Sequence, residues 1–204
     1  MNDAFRSPTG PRDAVAALAL RLRALPPSLG PVRLVAVDGH AGSGKTTFSA
    51  RLAAALGGAP VLHLDDLATH EELFAWPERL RAQVLEPLAR GESARYRVYD
   101  WVARCFAEER VLPAAPVVLV EGVGAGRRAL RPRLACLLWM ELPYEHSWER
   151  GQLRDGAGLS EFWNGWKLAE REHFAADPTR PYAEFLILQR EEGYEVLPGP
   201  GKRP

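Results

Sequence analysis

The sequence predicts an α/β fold in which helices cover both faces of a parallel sheet, giving three layers. Two observations support this prediction. Short apolar runs rich in valine and leucine alternate along the chain with longer amphipathic segments, which is the pattern of parallel strands joined by helices. The chain has 204 residues, which is enough for one well-buried domain, and we place that domain at residues 13–204.

The composition narrows the classes of function. The 26 basic and 26 acidic residues balance, so we expect neither a nucleic-acid partner nor a membrane partner. The apolar runs are too short to span a bilayer, and the N-terminus lacks the apolar core and cleavage site of a secretory signal. Cys105 and Cys136 stand far apart without a CxxC motif, so we expect reduced thiols and a cytoplasmic protein.

In chain order, the first elements are a tail, a helix, a strand and a second helix. Residues 1–12 are polar and contain proline and glycine, which predicts a flexible tail. Residues 13–25 show helical spacing of apolar side chains, with Asp13 as the N-cap. Residues 32–37 form an apolar, β-branched run that predicts a buried strand, and residues 47–56 again show helical spacing.

The segment between this strand and this helix carries the clearest motif of the chain. Residues 39–46 match G-x-x-x-x-G-K-[ST], and a preceding strand and a following helix are the context that this phosphate-binding loop requires. Glycines let successive backbone N–H groups point at phosphate oxygens, and the helix adds the positive end of its dipole. Lys45 would reach the β- and γ-phosphates, and the Thr46 hydroxyl would bind Mg²⁺. The residues expected to hold the phosphates are Gly39, His40, Ala41, Gly42, Ser43, Gly44, Lys45, Thr46 and Thr47.

Acidic residues follow two further predicted strands. One strand, at residues 60–64, ends at Asp65 and Asp66, and another ends at Glu121. The carboxyl ends of parallel strands form the rim where α/β sheets bind ligands, so we expect these acids to meet the phosphate loop at one edge of the sheet. An acid after four apolar strand residues can bind Mg²⁺, which assigns Glu121 to the metal together with Thr46. Asp65 and Asp66 belong to this site or are ordinary loop residues.

The rest of the chain continues the alternation of strands and helices. We predict a helix at 71–90 with an interruption near Trp76, a strand at 136–142, helices at 144–155 and 159–176, and a strand at 183–188 that closes the sheet. Arg150 and Arg154 lie on the helix at 144–155. They would neutralise a transferring phosphoryl group or belong to a solvated helix face.

An aromatic group lies midway along the chain. Residues 96–101 alternate like a strand or a hairpin arm and carry Tyr99 and Trp101, and Arg104 follows closely. These rings would pack in the core or stack on a flat substrate.

Together these segments resemble the uridine kinase and phosphoribulokinase family of P-loop kinases, over roughly residues 31–188. DGHAGSGKTT is similar to the family's phosphate loop, VLHLDD to the strand that ends in its catalytic base, and RVYDW to its nucleoside-side hairpin. VVLVEG is similar to the magnesium-side strand and RGQLRD to the lid helix. The resemblance implies a P-loop NTPase fold with a short helical lid at about residues 143–160.

The resemblance also implies roles for individual residues. Asp65 takes the place of the base toward the acceptor hydroxyl, but Asp66 is adjacent, and a one-residue shift in strand register would exchange the two. Lys45 and Arg154 would join Asp65 in catalysis, with Arg150 also near the phosphates. The residues implied for acceptor binding are Asp65, Asp66, Tyr99, Trp101 and Arg104.

Departures from the family pattern concern the acceptor. Leu67 and Ala68 stand where uridine kinases have Phe-Tyr, and Arg104 stands where they have a histidine. An arginine in the acceptor pocket would suit an acceptor with a carboxylate or a phosphate. The phosphate-binding residues show no such departure.

We therefore predict an enzyme that uses ATP and Mg²⁺ to phosphorylate a hydroxyl of a small molecule, first of all a nucleoside such as uridine or cytidine. A kinase for a nucleotide, a vitamin precursor or an antibiotic would share the same core residues. A regulatory or switch ATPase without an acceptor is the alternative from another class, and it gives Asp65 and the aromatic group no role. The sequence leaves open the choice between ATP and GTP. Homo-oligomers are frequent in the family, so the resemblance allows a homo-oligomer, but the sequence shows no interface and leaves the oligomeric state open.

Overall fold

A computed structural model describes residues 11–201, so most of the predicted tail lies outside the described residues. The helices are α1 (Pro11–Ala24), α2 (Lys45–Ala55), α3 (Pro77–Leu80), α4 (Glu86–Ala89), α5 (Tyr144–Asp155) and α6 (Ser160–Ala176). The strands are β1 (Arg33–Asp38), β2 (Val61–His63), β3 (Ala94–Asp100), β4 (Cys105–Leu112), β5 (Val117–Glu121), β6 (Cys136–Met140), β7 (Phe185–Arg190) and β8 (Gly193–Pro198).

A six-stranded sheet forms the centre of the fold, in the order β2-β5-β1-β6-β7-β8. The first five strands in this order are parallel, which confirms the predicted α/β fold with a parallel sheet. The predicted last strand does not close the sheet, because β8 continues it as an antiparallel edge. The sequence GYEVLP of β8 mixes polar and apolar residues as an edge strand can, and so it lacks the apolar run that marked the inner strands.

The two faces of the sheet are covered by different elements, which gives the three predicted layers. Val35 and Val37 point to one face, where they pack with buried residues of α1 and α2. Leu34 and Ala36 point to the other face, where they pack with α3, α4 and the β3–β4 hairpin. This alternation follows from the period of two in a strand.

The helix predicted at residues 71–90 is shorter and less regular than expected. Residues 71–76 are not helical, and α3 begins at Pro77, where a proline is favoured because it needs no hydrogen-bond acceptor. A π-helical turn, Arg81–Leu85, connects α3 to α4. Pro87 cannot donate to the carbonyl four residues earlier, and the wider turn accommodates its ring.

At the N-terminal end, α1 begins at Pro11 and not at residue 13. Asp13 therefore lies inside the first turn and is not the N-cap, which corrects the expectation. No helix in residues 11–201 combines the length and the hydropathy needed to cross a membrane.

Candidate active site

The carboxyl ends of β1, β2 and β5 meet at one edge of the sheet, as the sequence predicted. Glu121, the last residue of β5, is paired in register with Val37 of β1 on one side and with His63 of β2 on the other. The phosphate loop follows β1 directly. The Thr46 hydroxyl donates to Glu121 Oε1 at 3.1 Å, so the two residues predicted to bind the metal are in contact.

The loop that follows β1 has the geometry of an anion site. Gly42 and Gly44 have left-handed φ values of 83° and 96°, which only glycine adopts without strain. Gly44 caps α2 without a side-chain hydrogen bond, so the first N–H groups of the helix remain available to a ligand. The Lys45 ammonium donates to the carbonyls of Gly39 and His40, each at 2.9 Å, and is 8% exposed.

A buried carboxylate holds this loop in place. Asp38, at the end of β1, is fully buried and accepts hydrogen bonds from the backbone N–H groups of Gly39, Gly124 and Gly126 at 2.7, 2.9 and 2.9 Å. Burial raises the pKa of Asp38, and the backbone donors oppose that rise. The phosphate loop is thereby tied to the segment after β5.

The Thr46–Glu121 pair fits a magnesium ion in the type of its ligands. Mg²⁺ prefers oxygen ligands and keeps several waters, so one hydroxyl and one carboxylate beside a phosphate loop suffice. Within residues 11–201, no group of three or more His, Cys, Asp or Glu side chains could hold a metal alone. His63 Nδ1 lies 2.5 Å from Glu121 Oε1, and this hydrogen bond raises the pKa of His63.

Two cavities adjoin at this edge of the sheet. The first, which we call the loop cavity, has a volume of about 260 Å³ and is bounded by the phosphate loop with Lys45 and Thr46. The second, which we call the aromatic cavity, has a volume of about 330 Å³. Its walls are formed by Ala41, Asp65, His70, Trp101, Val102, Arg154, Asp155, Leu159, Phe162, Trp163 and Trp166. Four residues line both cavities, namely Ala41, Asp65, Arg154 and Trp166.

The two adjacent aspartates point to different surroundings. Asp65 lies at the junction of the two cavities. The residue as a whole is exposed, yet desolvation of its carboxyl group and the nearby Glu121 charge raise the pKa of Asp65. Asp66 instead accepts from the Tyr96 hydroxyl at 3.1 Å and lies 3.4 Å from Arg110, so it fastens the β3–β4 hairpin.

The aromatic residues predicted for the acceptor pocket divide in the same way. Trp101 lines the aromatic cavity, and its indole N–H donates to the Asp65 carbonyl at 3.1 Å. Tyr99 is buried behind the wall, where its hydroxyl lies 3.0 Å from His70 Nδ1. Tyr99 therefore contacts a wall residue and does not itself line the cavity.

The three arginines predicted for the site are placed differently from one another. Arg154 lines both cavities and donates to both carboxylate oxygens of Asp155 at 2.6 and 3.0 Å. Arg150 lines only the loop cavity and donates to Gln189 at 3.2 Å. Arg104 lies outside both cavities and donates to Glu71 at 3.3 Å on the exposed hairpin turn. The structure therefore does not bring Arg104 to the pocket that the sequence suggested.

Part of the site was missed by the sequence reasoning. Phe162, Trp163 and Trp166 of α6 line the aromatic cavity, and so does His70. The tryptophan-rich sequence of α6 was a signal, because Trp163 and Trp166 are three residues apart and share a helix face. Glu170, one turn after Trp166, is fully buried and was also missed.

Glu170 accepts four hydrogen bonds from three parts of the molecule. From the phosphate loop come His40 Nδ1 at 2.6 Å and the Ala41 backbone N–H at 3.1 Å. From α5 comes the Trp148 indole N–H at 3.0 Å, and from α6 the Trp166 indole N–H at 2.8 Å. Each carboxylate oxygen thus has two donors.

Comparison with solved structures identifies the fold. A possible uridine kinase from Bacillus stearothermophilus superposes with a TM-score of 0.55 and 20% sequence identity, covering 74% of this chain and 90% of that chain. This chain has the fold of that protein. The likeness agrees with the family resemblance drawn from the sequence motifs.

Two further structures are similar over most of their length. A putative fructose transport system kinase from Silicibacter sp. TM1040 is 26% identical with a TM-score of 0.48, covering 67% of this chain and 78% of that one. The YGR205w protein is 10% identical with a TM-score of 0.47, covering 81% and 90%. No protein-family model matches the sequence, and neither does any curated protein.

Proposed function

We propose that this protein is a cytoplasmic kinase that transfers the γ-phosphoryl group of ATP to a hydroxyl of a small, ring-bearing molecule such as a nucleoside. The observation that carries the proposal is the position of Asp65 at the junction of the two cavities. A phosphoryl donor in the loop cavity and an alcohol in the aromatic cavity would meet at this carboxylate. Its raised pKa brings the group closer to the pH at which a general base works best.

The residues of the loop cavity supply the positioning and the charge that phosphoryl transfer needs. The backbone of the phosphate loop and Lys45 would hold the phosphates, and Thr46 with Glu121 would hold Mg²⁺. Such an ion would bridge phosphate oxygens and neutralise charge that develops on them. Arg154 reaches the junction and would stabilise the transferring group, while Arg150 would bind the phosphates from the lid side.

The aromatic cavity favours a neutral acceptor with a flat ring. Its charged side chains among the described residues are Asp65 and the mutually bonded pair Arg154 and Asp155. The wall therefore offers no unpaired cation to a phosphate or a carboxylate on the acceptor. Burying such a charged group in the cavity would cost free energy of desolvation. Nucleosides suit the cavity better than nucleotides or sugar phosphates, because their bases can stack on Trp101 and Trp166.

The switch ATPase is the less suitable reading of this geometry. A switch needs a nucleotide site and a mobile element. It does not need the aromatic cavity, which adjoins the loop cavity at the Asp65 carboxylate. It predicts slow ATP hydrolysis that no small molecule accelerates.

The proposal is tested by measuring ADP release with Mg²⁺ and ATP against a panel of uridine, cytidine, other nucleosides, nucleoside monophosphates, pantothenate and sugar phosphates. We expect at least one neutral nucleoside-like compound to accelerate ADP release, and Lys45→Ala to abolish it. Acceleration by none of the neutral ring compounds, with slow hydrolysis retained, would contradict the proposal.

The two aspartates provide a matched pair for the same assay. Asp65→Asn should leave nucleotide binding intact and slow transfer by roughly 100-fold or more, because it removes the general base. Asp66→Asn should retain most of the transfer rate and lower the stability, because it weakens the bond to Tyr96. Equal transfer rates for wild type and Asp65→Asn would remove Asp65 from the base role.

A further inference from the structure

We infer that Glu170 is a positioning residue that couples the wall of the aromatic cavity to the phosphate loop. The inference goes beyond the proposed reaction, although it assumes that the loop binds nucleotide as proposed above. Its basis is that a single buried carboxylate bonds to the loop and to Trp166, a residue that lines both cavities.

The burial of Glu170 makes its four hydrogen bonds a requirement. The side chain is 0% exposed, and a buried carboxylate is tolerated only when its oxygens are well satisfied. Burial alone would raise the pKa of Glu170, but the hydrogen bond from His40 and the charge of Lys45 keep it below its ordinary value. The group is therefore an anion that holds all four donors around it.

The donors connect surfaces that face different ligands. His40 and Ala41 belong to the loop expected to hold phosphates, and Trp148 belongs to the predicted lid helix α5. Because the two oxygens of one carboxylate have a fixed separation, a shift of the loop changes the geometry of the other bonds. A ligand in the loop cavity would thus change the hydrogen bond of Trp166 to Glu170. A ligand in the aromatic cavity would change the hydrogen bonds of the loop to Glu170.

A ring cage around His40 limits how the loop can move independently. The His40 imidazole lies edge-on to Trp139, Phe174 and Trp148, with centroid distances of 5.3, 5.0 and 6.4 Å. The side chain is 18% exposed. A shift of His40 must therefore carry Glu170 with it or break a short hydrogen bond.

The indole N–H signals of the six tryptophans in a ¹H–¹⁵N NMR spectrum offer a direct test. The probe is Mg²⁺ with the non-hydrolysable β,γ-imido analogue of ATP. In the wild type, the signal of Trp148, which donates to Glu170 and lines neither cavity, should shift at saturation, and the signal of Trp76, which does not bond to Glu170 and lines neither cavity, should not. In Glu170→Gln, we expect roughly tenfold weaker binding and no Trp148 shift at saturation, because an amide NH₂ would face two donors.

Three results would overturn the inference. They are an unmoved Trp148 signal in the wild type, an equal shift of that signal in Glu170→Gln, or analogue affinity in Glu170→Gln within twofold of the wild type. A wild type that does not bind the analogue at all would overturn the proposed function as well, which separates the two failures.

A second pair of variants serves if Glu170→Gln does not fold. Trp148→Phe breaks the 3.0 Å bond to Glu170, whereas Trp163→Phe breaks a 3.2 Å bond to Asp155. Each variant removes one indole N–H from a ring that does not line the loop cavity. We expect Trp148→Phe to weaken binding of the ATP analogue severalfold more than Trp163→Phe does. Equal effects of the two variants would show that Glu170 has no special link to the loop.

Discussion

At the scale of single residues, Thr46 gives the sharpest test of the metal site. Thr46→Val keeps the shape of the side chain and removes the hydroxyl that lies 3.1 Å from Glu121. We expect roughly ten- to a hundredfold slower transfer at low Mg²⁺, with partial recovery at high Mg²⁺, because one oxygen ligand of the ion is lost. The measurement is the transfer rate as a function of Mg²⁺ concentration.

The neighbouring Thr47 supplies the control for this test. Thr47→Val removes a hydroxyl from the same turn of α2 without touching Glu121, and so it should change the Mg²⁺ dependence less. If Thr46→Val and wild type required the same Mg²⁺ concentration, the metal would not be bound through that hydroxyl.

Residue types in a fixed local pattern were predictable from the sequence, and residues placed by tertiary packing were not. Lys45 and Thr46 follow from one contiguous motif, and the fold brings Thr46 into contact with Glu121. Arg104 was expected in the pocket because the resemblance places it where uridine kinases have a histidine. Arg104 instead lies on the exposed turn, where it has a left-handed φ of 56° and a hydrogen bond to Glu71.

At the scale of elements, the contact between α5 and α6 depends on a single glycine. A Cβ atom at Gly151 would lie 2.3 Å from the Trp163 ring. Gly151→Ala should therefore displace a wall of the aromatic cavity and cost about 1–3 kcal/mol of unfolding free energy, as overpacking does. Urea denaturation measures this loss.

Gly165, in the middle of α6, is the matched control for Gly151. A Cβ atom there meets no atom within 4 Å. Gly165→Ala should raise the unfolding free energy by about 0.5–1 kcal/mol, because alanine loses less conformational entropy in a helix. Destabilisation by both substitutions to a similar extent would mean that the helix backbone, and not the contact with Trp163, is sensitive.

The inner strands and the helix α5 were the elements best predicted from the sequence. Their apolar spacing is local and strong, as in the fully buried run of β5. The edge strand β8 was missed, because it is stabilised by pairing with β7 more than by its own apolar content. Residues 71–76 were wrongly included in a helix, whereas the interruption predicted near Trp76 is confirmed, because α3 begins at Pro77.

At the scale of the whole molecule, one partly buried histidine links the stability of the fold to pH. His173 of α6 stacks on Phe74 with a centroid distance of 4.7 Å and an interplanar angle of 6°. Its Nδ1 lies 3.3 Å from a guanidinium nitrogen of Arg127, so the ring accepts there and stays neutral. Burial, with the positive charge of Arg127, lowers the pKa of His173 to about 4.

The sign of the pH effect follows from this lowered pKa. In the unfolded chain, His173 is protonated below its ordinary pKa of 6.5. In the folded chain, it is protonated only below about pH 4. The contribution of His173 to the unfolding free energy should therefore be constant above pH 6.5 and fall by up to about 3 kcal/mol as the pH drops toward 4.

His173→Gln isolates this contribution, because glutamine can still accept from Arg127 but does not titrate. Urea unfolding of both proteins between pH 7.5 and 4.5 should show a smaller loss of stability on acidification in the variant. Carboxylates elsewhere titrate alike in the two proteins, so the difference between the two curves reports His173. Parallel curves would mean that the folded protein accommodates the charged imidazole, and α6 would then have to move away from Arg127 to allow it.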